Sequence, residues 1–137
     1  KYREALPYFQ KGLENAEQAE DWSFSVTCLN NIGSMDKRLG KYAEGLAALE
    51  KGIARGQELD QQLDENIEDL SPSDPNHPDF PAWKAEQLHT TLIRRMRYHS
   101  AGCLAGLGRK EEADALYLQL LKEARESNDT RLLEDLK

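Results

Sequence analysis

The sequence predicts an all-α protein, a right-handed superhelical array of antiparallel helical hairpins known as an α-solenoid. Apolar residues recur at steps of three and four through residues 29–53 and break at Gly40, which indicates two helices joined by a tight turn. The pattern then recurs, because residues 1–6 match residues 41–46 at a spacing of 40. A fixed period with one helical hairpin per period is typical of this architecture.

A third copy of the hairpin pattern lies downstream, where residues 107–113 match residues 39–45. The second and third copies are 68 residues apart, so 28 residues are inserted between them. An insertion at the junction of two repeats leaves the stacking intact. Its role stays open between a spacer and a lid or ligand contact. We therefore treat residues 1–137 as a single domain.

The helices follow one another with recognisable start and stop signals. Pro7 is tolerated near the first turn of its helix, Asp21 is expected to cap the next, and Gly40 to end it. Four prolines in residues 71–81 indicate an extended connector. The predicted helices are 2–19, 22–39, 42–67, 82–107 and 110–126, with a further or capping helix over 129–137. The corresponding repeat units are 2–19, 22–68 and 82–126.

Two glycines lie inside the apolar stripes of the central hairpin. Gly33 and Gly45 each cost about 1 kcal/mol of helix stability relative to alanine. We expect this cost to be offset by a close crossing, in which the two helices approach backbone to backbone. Lys37, on the same helix as Gly33, is expected to be exposed.

The repeated residues resemble the tetratricopeptide repeat family. That family combines a large residue, a Leu-Gly pair and a Tyr on the first helix with an Ala and a following aromatic on the second. The residues that match or replace these are Leu29, Ile32, Gly33, Asp36, Gly45 and Leu49 in the middle copy, Arg97, Ser100, Ala101, Leu104, Ala113 and Tyr117 in the last, and Ala5 and Phe9 in the first. Asp36 replaces the usual Tyr, Arg97 replaces a large apolar residue, and the closing Pro is missing. The longer step looks like the lengthened repeats of bacterial peptide-sensing regulators and some eukaryotic cargo adaptors.

Composition excludes several functional classes. The chain is 31% charged with a net charge of -7, which argues against a general nucleic-acid binder. No apolar run approaches the roughly 18 residues that span a bilayer. Cys28 and Cys103 do not make a disulfide framework and are expected to be small buried hydrophobes. No signal peptide is visible, but the true N-terminus is expected to be missing because the chain starts inside a repeat. The compartment therefore stays open, with a cytoplasmic location as the working expectation.

The sequence predicts neither catalysis nor a bound metal or cofactor. Glu86 and His89 have the spacing of one half of a di-iron helix site, but the second half is missing. His77, His89 and His99 share no ligand spacing with one another or with the cysteines. The chain contains no recognisable Ser-His-Asp order, nucleophile elbow or phosphate-binding glycine loop.

The resemblance implies that the first helices of successive repeats line a concave groove. The candidate peptide-binding residues are Thr27, Asn30, Asn31, Ser34 and Arg38 on the middle copy, and Arg95, Tyr98, His99 and Gly102 on the last. An asparagine amide pairs with a peptide backbone, and a guanidinium binds a carboxylate. Asn31 and Arg95 match the use of Asn and basic residues in peptide-holding members of the family. The alternative is that Arg94, Arg95 and Arg97 form a solvated face balanced by Glu86 and neighbouring acids.

The leading functional prediction is a non-catalytic protein- or peptide-binding module within a longer protein, holding an extended or acidic-ended peptide. The first alternative is a ligand- or peptide-sensing regulatory domain, in which an effector shifts the packing between repeats. The second is structural self-assembly, with a homodimer formed through the N-terminal repeat face. There Leu6, Phe9 and Leu13 are expected to lack part of their cover.

Overall fold

The computed structural model describes residues 1–65 and 89–136, and this part of the chain contains helices and no strands. The predicted connector at 71–81 and the predicted helical residues 66–67 and 82–88 lie outside the described residues. The helices are α1 (Tyr2–Gln18), α2 (Trp22–Arg38), α3 (Tyr42–Glu65), α4 (Thr90–Gly106), α5 (Lys110–Glu126) and α6 (Thr130–Asp135). The all-α prediction is confirmed for the described residues.

Each helix packs against the next one in this numbering, and α2 also packs against α4. The main core lies where α2, α3, α4 and α5 meet, and its buried members are Val26, Leu46, Leu49, Ile93, Met96, Cys103, Leu104 and Ala113. A second cluster joins α5 to α6 through Leu120, Ala124 and Leu132. Full burial of a leucine such as Leu132 contributes about 1.5–3 kcal/mol, which accounts for the docking of so short a helix.

The same backbone turn ends four of the helices. Its central residue has a positive φ in each case: 56° at Glu20, 78° at Gly40, 81° at Gly108 and 58° at Asn128. The following N–H donates to the carbonyl five residues earlier, as in Lys41 to Asp36 at 2.8 Å. This is the Schellman arrangement, which satisfies carbonyls left free at a helix end. The predicted end of α2 at Gly40 is therefore confirmed.

The two non-glycine turns give a stability prediction. A left-handed conformation costs an ordinary residue about 1–2 kcal/mol. Part of any gain from glycine is lost to the greater freedom of the unfolded chain. We expect Glu20→Gly to raise the free energy of unfolding by about 0.5–1 kcal/mol, and Gly40→Ala to lower it by about 1 kcal/mol. Urea unfolding measures both, and a gain from Gly40→Ala would contradict the turn assignment.

Two aspartates cap helices as local sequence suggests. The Asp21 carboxylate accepts the Phe24 N–H at 3.2 Å at the start of α2, which confirms the predicted cap. Asp129 accepts the Leu132 N–H at 3.1 Å at the start of α6. The further helix expected at the C-terminal end is thus present over Thr130–Asp135.

Two helix predictions need correction. Pro7 lies in the second turn of α1 and not in its first. Because proline has no N–H, the carbonyl of Arg3, four residues earlier, receives no helical hydrogen bond, and Arg3 is exposed. The prediction of a helix from 82 to 107 is wrong at His89, which is not helical and directly precedes the first residue of α4, Thr90. The reason is a long-range contact, since the His89 N–H donates to both carboxylate oxygens of Asp60 on α3 at 2.9 Å.

The central glycines allow the close crossing, in two different ways. A Cβ at Gly45 would lie 3.1 Å from the carbonyl oxygen of Gly33, so α3 approaches the α2 backbone there. A Cβ at Gly33 would instead collide with the side chain of Leu49, which is fully buried. Backbone-to-backbone approach is therefore right for Gly45, whereas Gly33 makes room for a leucine. Cys28 and Cys103 are free and buried as predicted, and burial is the main factor raising the pKa of each thiol.

The N-terminal helix is better covered than the sequence suggests. Leu6 is buried, whereas Phe9 and Leu13 are half-buried and Tyr8 is exposed. The expectation of missing cover is wrong for Leu6, because this residue is already buried within the chain. A homodimer through this face stays a prediction. No helix in the described ranges is long and apolar enough to cross a membrane.

Candidate functional site

An open cleft of about 930 Å³ brings most of the candidate peptide-binding residues together. Its walls come from α2 and α4, with α6 at one side. Of the eight principal candidates, the seven that line it are Asn30, Asn31, Ser34, Arg38, Arg95, Tyr98 and His99. Thr27 lies on α2 but is exposed and outside this lining. Gly102 is also outside the lining, where the Lys37 side chain covers it and a Cβ would lie 2.7 Å from Lys37 Cδ.

Lys37 is a cleft residue, not the exposed residue expected from the sequence. Its Nζ donates to His99 Nδ1 at 2.9 Å and lies 4.9 Å from the centre of the Tyr98 ring. Its stem packs over Gly102, and this burial is the main factor lowering the pKa of the Lys37 ammonium. Position 37 follows Ser34 by three residues on the same helix, so its spacing was compatible with the cleft.

His99 is held in its neutral form by its surroundings. Burial and then the positive charges of Lys37, Arg38 and Arg95 lower its pKa to about 4, against a smaller opposing effect of Asp135. Because Nδ1 accepts a hydrogen bond from Lys37, the proton of the neutral ring lies on Nε2. His99 therefore carries a ring N–H donor at neutral pH, without a positive charge.

Arg95 occupies the most constrained position in the cleft. Its side chain is 13% exposed, and its Nη1 pairs with the Asp135 carboxylate of α6. Its Nη2 is buried without a hydrogen-bond partner, and so is Oδ1 of Asn30 across the cleft. Unpaired buried polar atoms are uncommon and point to an unseen partner such as water or a ligand.

The cationic character of the cleft extends beyond the predicted residues. Four side chains that are cationic at neutral pH line it, and they are Lys37, Arg38, Arg95 and Arg131. Asp135 is the acidic residue in the same lining. Arg131 and Asp135 were not predicted, because the packing of α6 against α5 brings them to the cleft and no local pattern announces that contact.

The alternative of a solvated arginine face is partly right. Arg94 pairs with Asp129 at 3.3 Å, and Arg97 pairs with Glu123 at 3.4 Å. These two arginines are half-buried and line a different cavity, which opens beside α5. They are therefore balanced by acids of the C-terminal helices, whereas Glu86, the predicted partner, lies outside the described residues. Arg95 differs from both, because it faces the cleft.

A hydrogen-bonded Ser-His-Asp chain, which the sequence did not predict, lies at one end of the cleft. Ser23 Oγ is 2.8 Å from His89 Nε2, and His89 Nδ1 is 2.7 Å from Asp60 Oδ1. Ser23 and His89 both line the cleft. The three residues come from α2, α3 and the start of α4, with separations of 66 and 29 positions that no motif would reveal.

The described residues contain no group of three or more potential metal ligands that could hold an ion. His89, the histidine of the predicted half-site, is bonded to Asp60 and Ser23 instead. Comparisons with known proteins add no assignment: no protein-family model matches the chain, and no curated protein or solved structure matches it.

Proposed function

We propose that the chain is an array of tetratricopeptide-like hairpins whose concave side binds a protein or peptide. The contact between α2 and α4 supports this proposal, because the first helices of neighbouring hairpins pack side by side in such arrays. The recurring Schellman turn supports it as well, since the same connection recurs within and between the hairpins. The ligand then lies along the cleft between α2 and α4.

The observation that carries the binding proposal is the pair of buried, unpartnered polar atoms in the cleft. Arg95 Nη2 is a donor and Asn30 Oδ1 an acceptor, and each lacks a hydrogen bond. An extended peptide offers both complements, an oxygen for the guanidinium and a backbone N–H for the amide oxygen. A ligand that satisfies both atoms recovers the free energy that their burial costs, about 1–3 kcal/mol for each group.

The charge of the cleft selects the kind of peptide. The surplus of cations over Asp135 favours a segment that ends in, or contains, a carboxylate. Arg95 is the carboxylate partner in this arrangement, with Arg38 and the Nε2 proton of His99 beside it. Asn31, which also lines the cleft, pairs with the peptide backbone.

Removal of the Arg95 charge tests the proposal. A charge-assisted hydrogen bond contributes about 1.5–3 kcal/mol, so Arg95→Gln should weaken a carboxylate-ended peptide by about 10- to 150-fold. We prefer glutamine to glutamate, because a second carboxylate beside Asp135 would disturb the docking of α6. The probe is a fluorescent peptide array, synthesised with free C-terminal carboxylates and with C-terminal amides, followed by titration of the tightest sequence.

Arg125→Gln is the matched control, since Arg125 is exposed on α5 and outside the cleft lining. It should bind like the parent. Binding by the parent should also weaken with salt. Equal affinity of the parent and Arg95→Gln, or of the carboxylate and amide peptides, would contradict the proposed site.

The contacts of Asp135 favour a second candidate function, the ligand-sensing regulatory domain. Asp135 already occupies Arg95, and the Tyr98 hydroxyl donates to the Asp135 carbonyl at 3.4 Å. A ligand carboxylate would compete with Asp135 and loosen α6. The sensor hypothesis therefore predicts faster amide hydrogen exchange in α6 when the peptide binds, whereas a plain binding module predicts unchanged or slower exchange.

A further inference from the structure

Two hydrogen bonds link the side chains of Ser23, His89 and Asp60. The donors and acceptors available on each side chain fix where the protons lie. An ionised Asp60 accepts hydrogen bonds and cannot donate them, so His89 Nδ1 must carry the proton in the 2.7 Å contact. In the neutral ring Nε2 is then an acceptor. With the ring neutral, Ser23 donates its hydroxyl proton to Nε2 across 2.8 Å.

The histidine is held in this orientation by a second contact. Its backbone N–H donates to both oxygens of Asp60 at 2.9 Å, while its ring bonds one of them. The side chains of His89 and Asp60 are 16% and 14% exposed, which shields their contact from water. Ser23 itself is exposed at the end of the cleft, so a substrate can reach its oxygen.

The helix beneath Ser23 supplies donors for a developing negative charge. Ser23 is the second residue of α2, a helix of 17 residues, and Asp21 caps the N–H of Phe24. The N–H groups of Trp22 and Ser23 bond no acceptor in the described part of the chain. Free N–H groups at a helix N-terminus stabilise anions, including oxyanions.

We propose that Ser23 is a nucleophile that accepts an acyl group from an ester, with His89 as its general base and Asp60 as a positioning residue. The Ser23 oxygen bonds to the ester carbonyl carbon while its proton passes to His89 Nε2. The tetrahedral oxyanion then expels the alcohol, which leaves with that proton. A water oxygen then bonds to the acyl carbon while its proton passes to His89 Nε2. The second tetrahedral oxyanion breaks the bond to the Ser23 oxygen, which takes the proton back from His89 as the carboxylic acid leaves. The proposal does not rest on peptide binding at Arg95, although both sites line the same cleft.

The test uses a fluorophosphonate probe, which forms a bond from the serine oxygen to phosphorus as fluoride leaves and His89 takes the proton. We expect the parent to be labelled at Ser23, located by mass spectrometry of the digested protein. General-base assistance contributes about 100- to 10,000-fold, so His89→Gln should slow labelling by at least about 100-fold. Ser127→Ala is the control. Ser127 is an exposed serine that donates to the Glu123 carbonyl, and its loss should leave labelling unchanged.

Asp60→Asn separates a positioning role from a merely structural one. The asparagine amide can donate to Nδ1, which moves the ring proton to Nε2 and removes the acceptor for Ser23. Labelling should slow by at least about 100-fold at unchanged helicity, whereas Asp60→Glu, which keeps a carboxylate acceptor for Nδ1, should retain more of the parent rate. The proposal is overturned if the parent is labelled no faster than Ser23→Ala. It is also overturned if the parent is labelled at other serines alone.

Discussion

The Gly33→Leu variant is expected to lose about 3 kcal/mol of its free energy of unfolding. A Cβ at this position collides with the side chain of Leu49, which is fully buried. Leu49 belongs to the same buried cluster as Met96 and Cys103. The added side chain must therefore push α3 away from α2 or force Leu49 from its rotamer.

The sign of this effect is informative, because helix propensity alone acts in the other direction. Leucine is better than glycine in a helix interior by about 0.8 kcal/mol, so the substitution would stabilise α2 if the space were open. Ala47→Leu is the matched control, since Ala47 is exposed on α3, and its effect should be within about 0.5 kcal/mol. Lys37 cannot serve as this control, because it is half-buried in the cleft.

Urea unfolding of four proteins tests the contact itself: the parent, Gly33→Leu, Leu49→Ala and the double variant. Leucine at 33 should fill part of the space that Leu49→Ala empties, so the double variant should be more stable than the sum of the single effects predicts. Strict additivity, or a Gly33→Leu midpoint equal to that of the parent, would contradict the crossing at Gly33.

Local signals in the sequence predicted the helices well. Asp21 caps α2 through the N–H three residues later, and Gly40 ends α2 through its own positive φ. Such signals act within a few residues, so one sequence suffices to read them. The turn at Glu20 was less obvious, because a non-glycine residue takes the left-handed conformation there. The residue type at position 20 does not reveal this turn.

Long-range contacts explain what the sequence did not reveal. The start of α4 depends on Asp60, which lies 29 residues before His89 and bonds its N–H. Separations of 66 and 29 positions likewise hid the Ser-His-Asp chain. The cleft was more accessible to prediction, because residues 30, 31, 34 and 38 share one stripe of α2 by helical spacing alone. The contribution of α6 to the cleft depends on its packing against α5, which no spacing in α2 or α4 encodes.

His99→Gln is expected to remove a large part of the acid sensitivity of the fold. The pKa of His99 is lowered to about 4 in the folded protein, first by burial and then by Lys37, Arg38 and Arg95. In the unfolded chain it returns to about 6.5. Between these values the unfolded state binds more protons, so stability rises with pH and is lost as the pH falls from about 6.5 to 4.

The separation of the two pKa values limits the contribution of His99 to the pH dependence of stability to about 3 kcal/mol. Solvent screening makes the actual contribution smaller, because the ring is not fully buried. Asp36 acts in the opposite sense. Burial raises its pKa, so its contribution grows as the pH falls. A comparison of parent and variant at each pH cancels the effect of Asp36 and of the other carboxyl groups. The glutamine amide oxygen can still accept the hydrogen bond from Lys37, so the variant preserves the contact while removing the titration.

Urea unfolding at pH 7, 5.5 and 4 measures the effect. Between pH 7 and pH 4 the parent should lose about 1–3 kcal/mol more of its free energy of unfolding than His99→Gln loses. NMR titration of the parent ring provides a second measurement that does not depend on any variant, and the His99 signal should titrate near pH 4. A ring that titrates above pH 6, or equal pH slopes for the two proteins, would show that His99 is not held neutral by the Lys37, Arg38 and Arg95 cluster. In that case the cleft would present a charged imidazolium to a ligand at mildly acidic pH, in place of the N–H donor of a neutral ring.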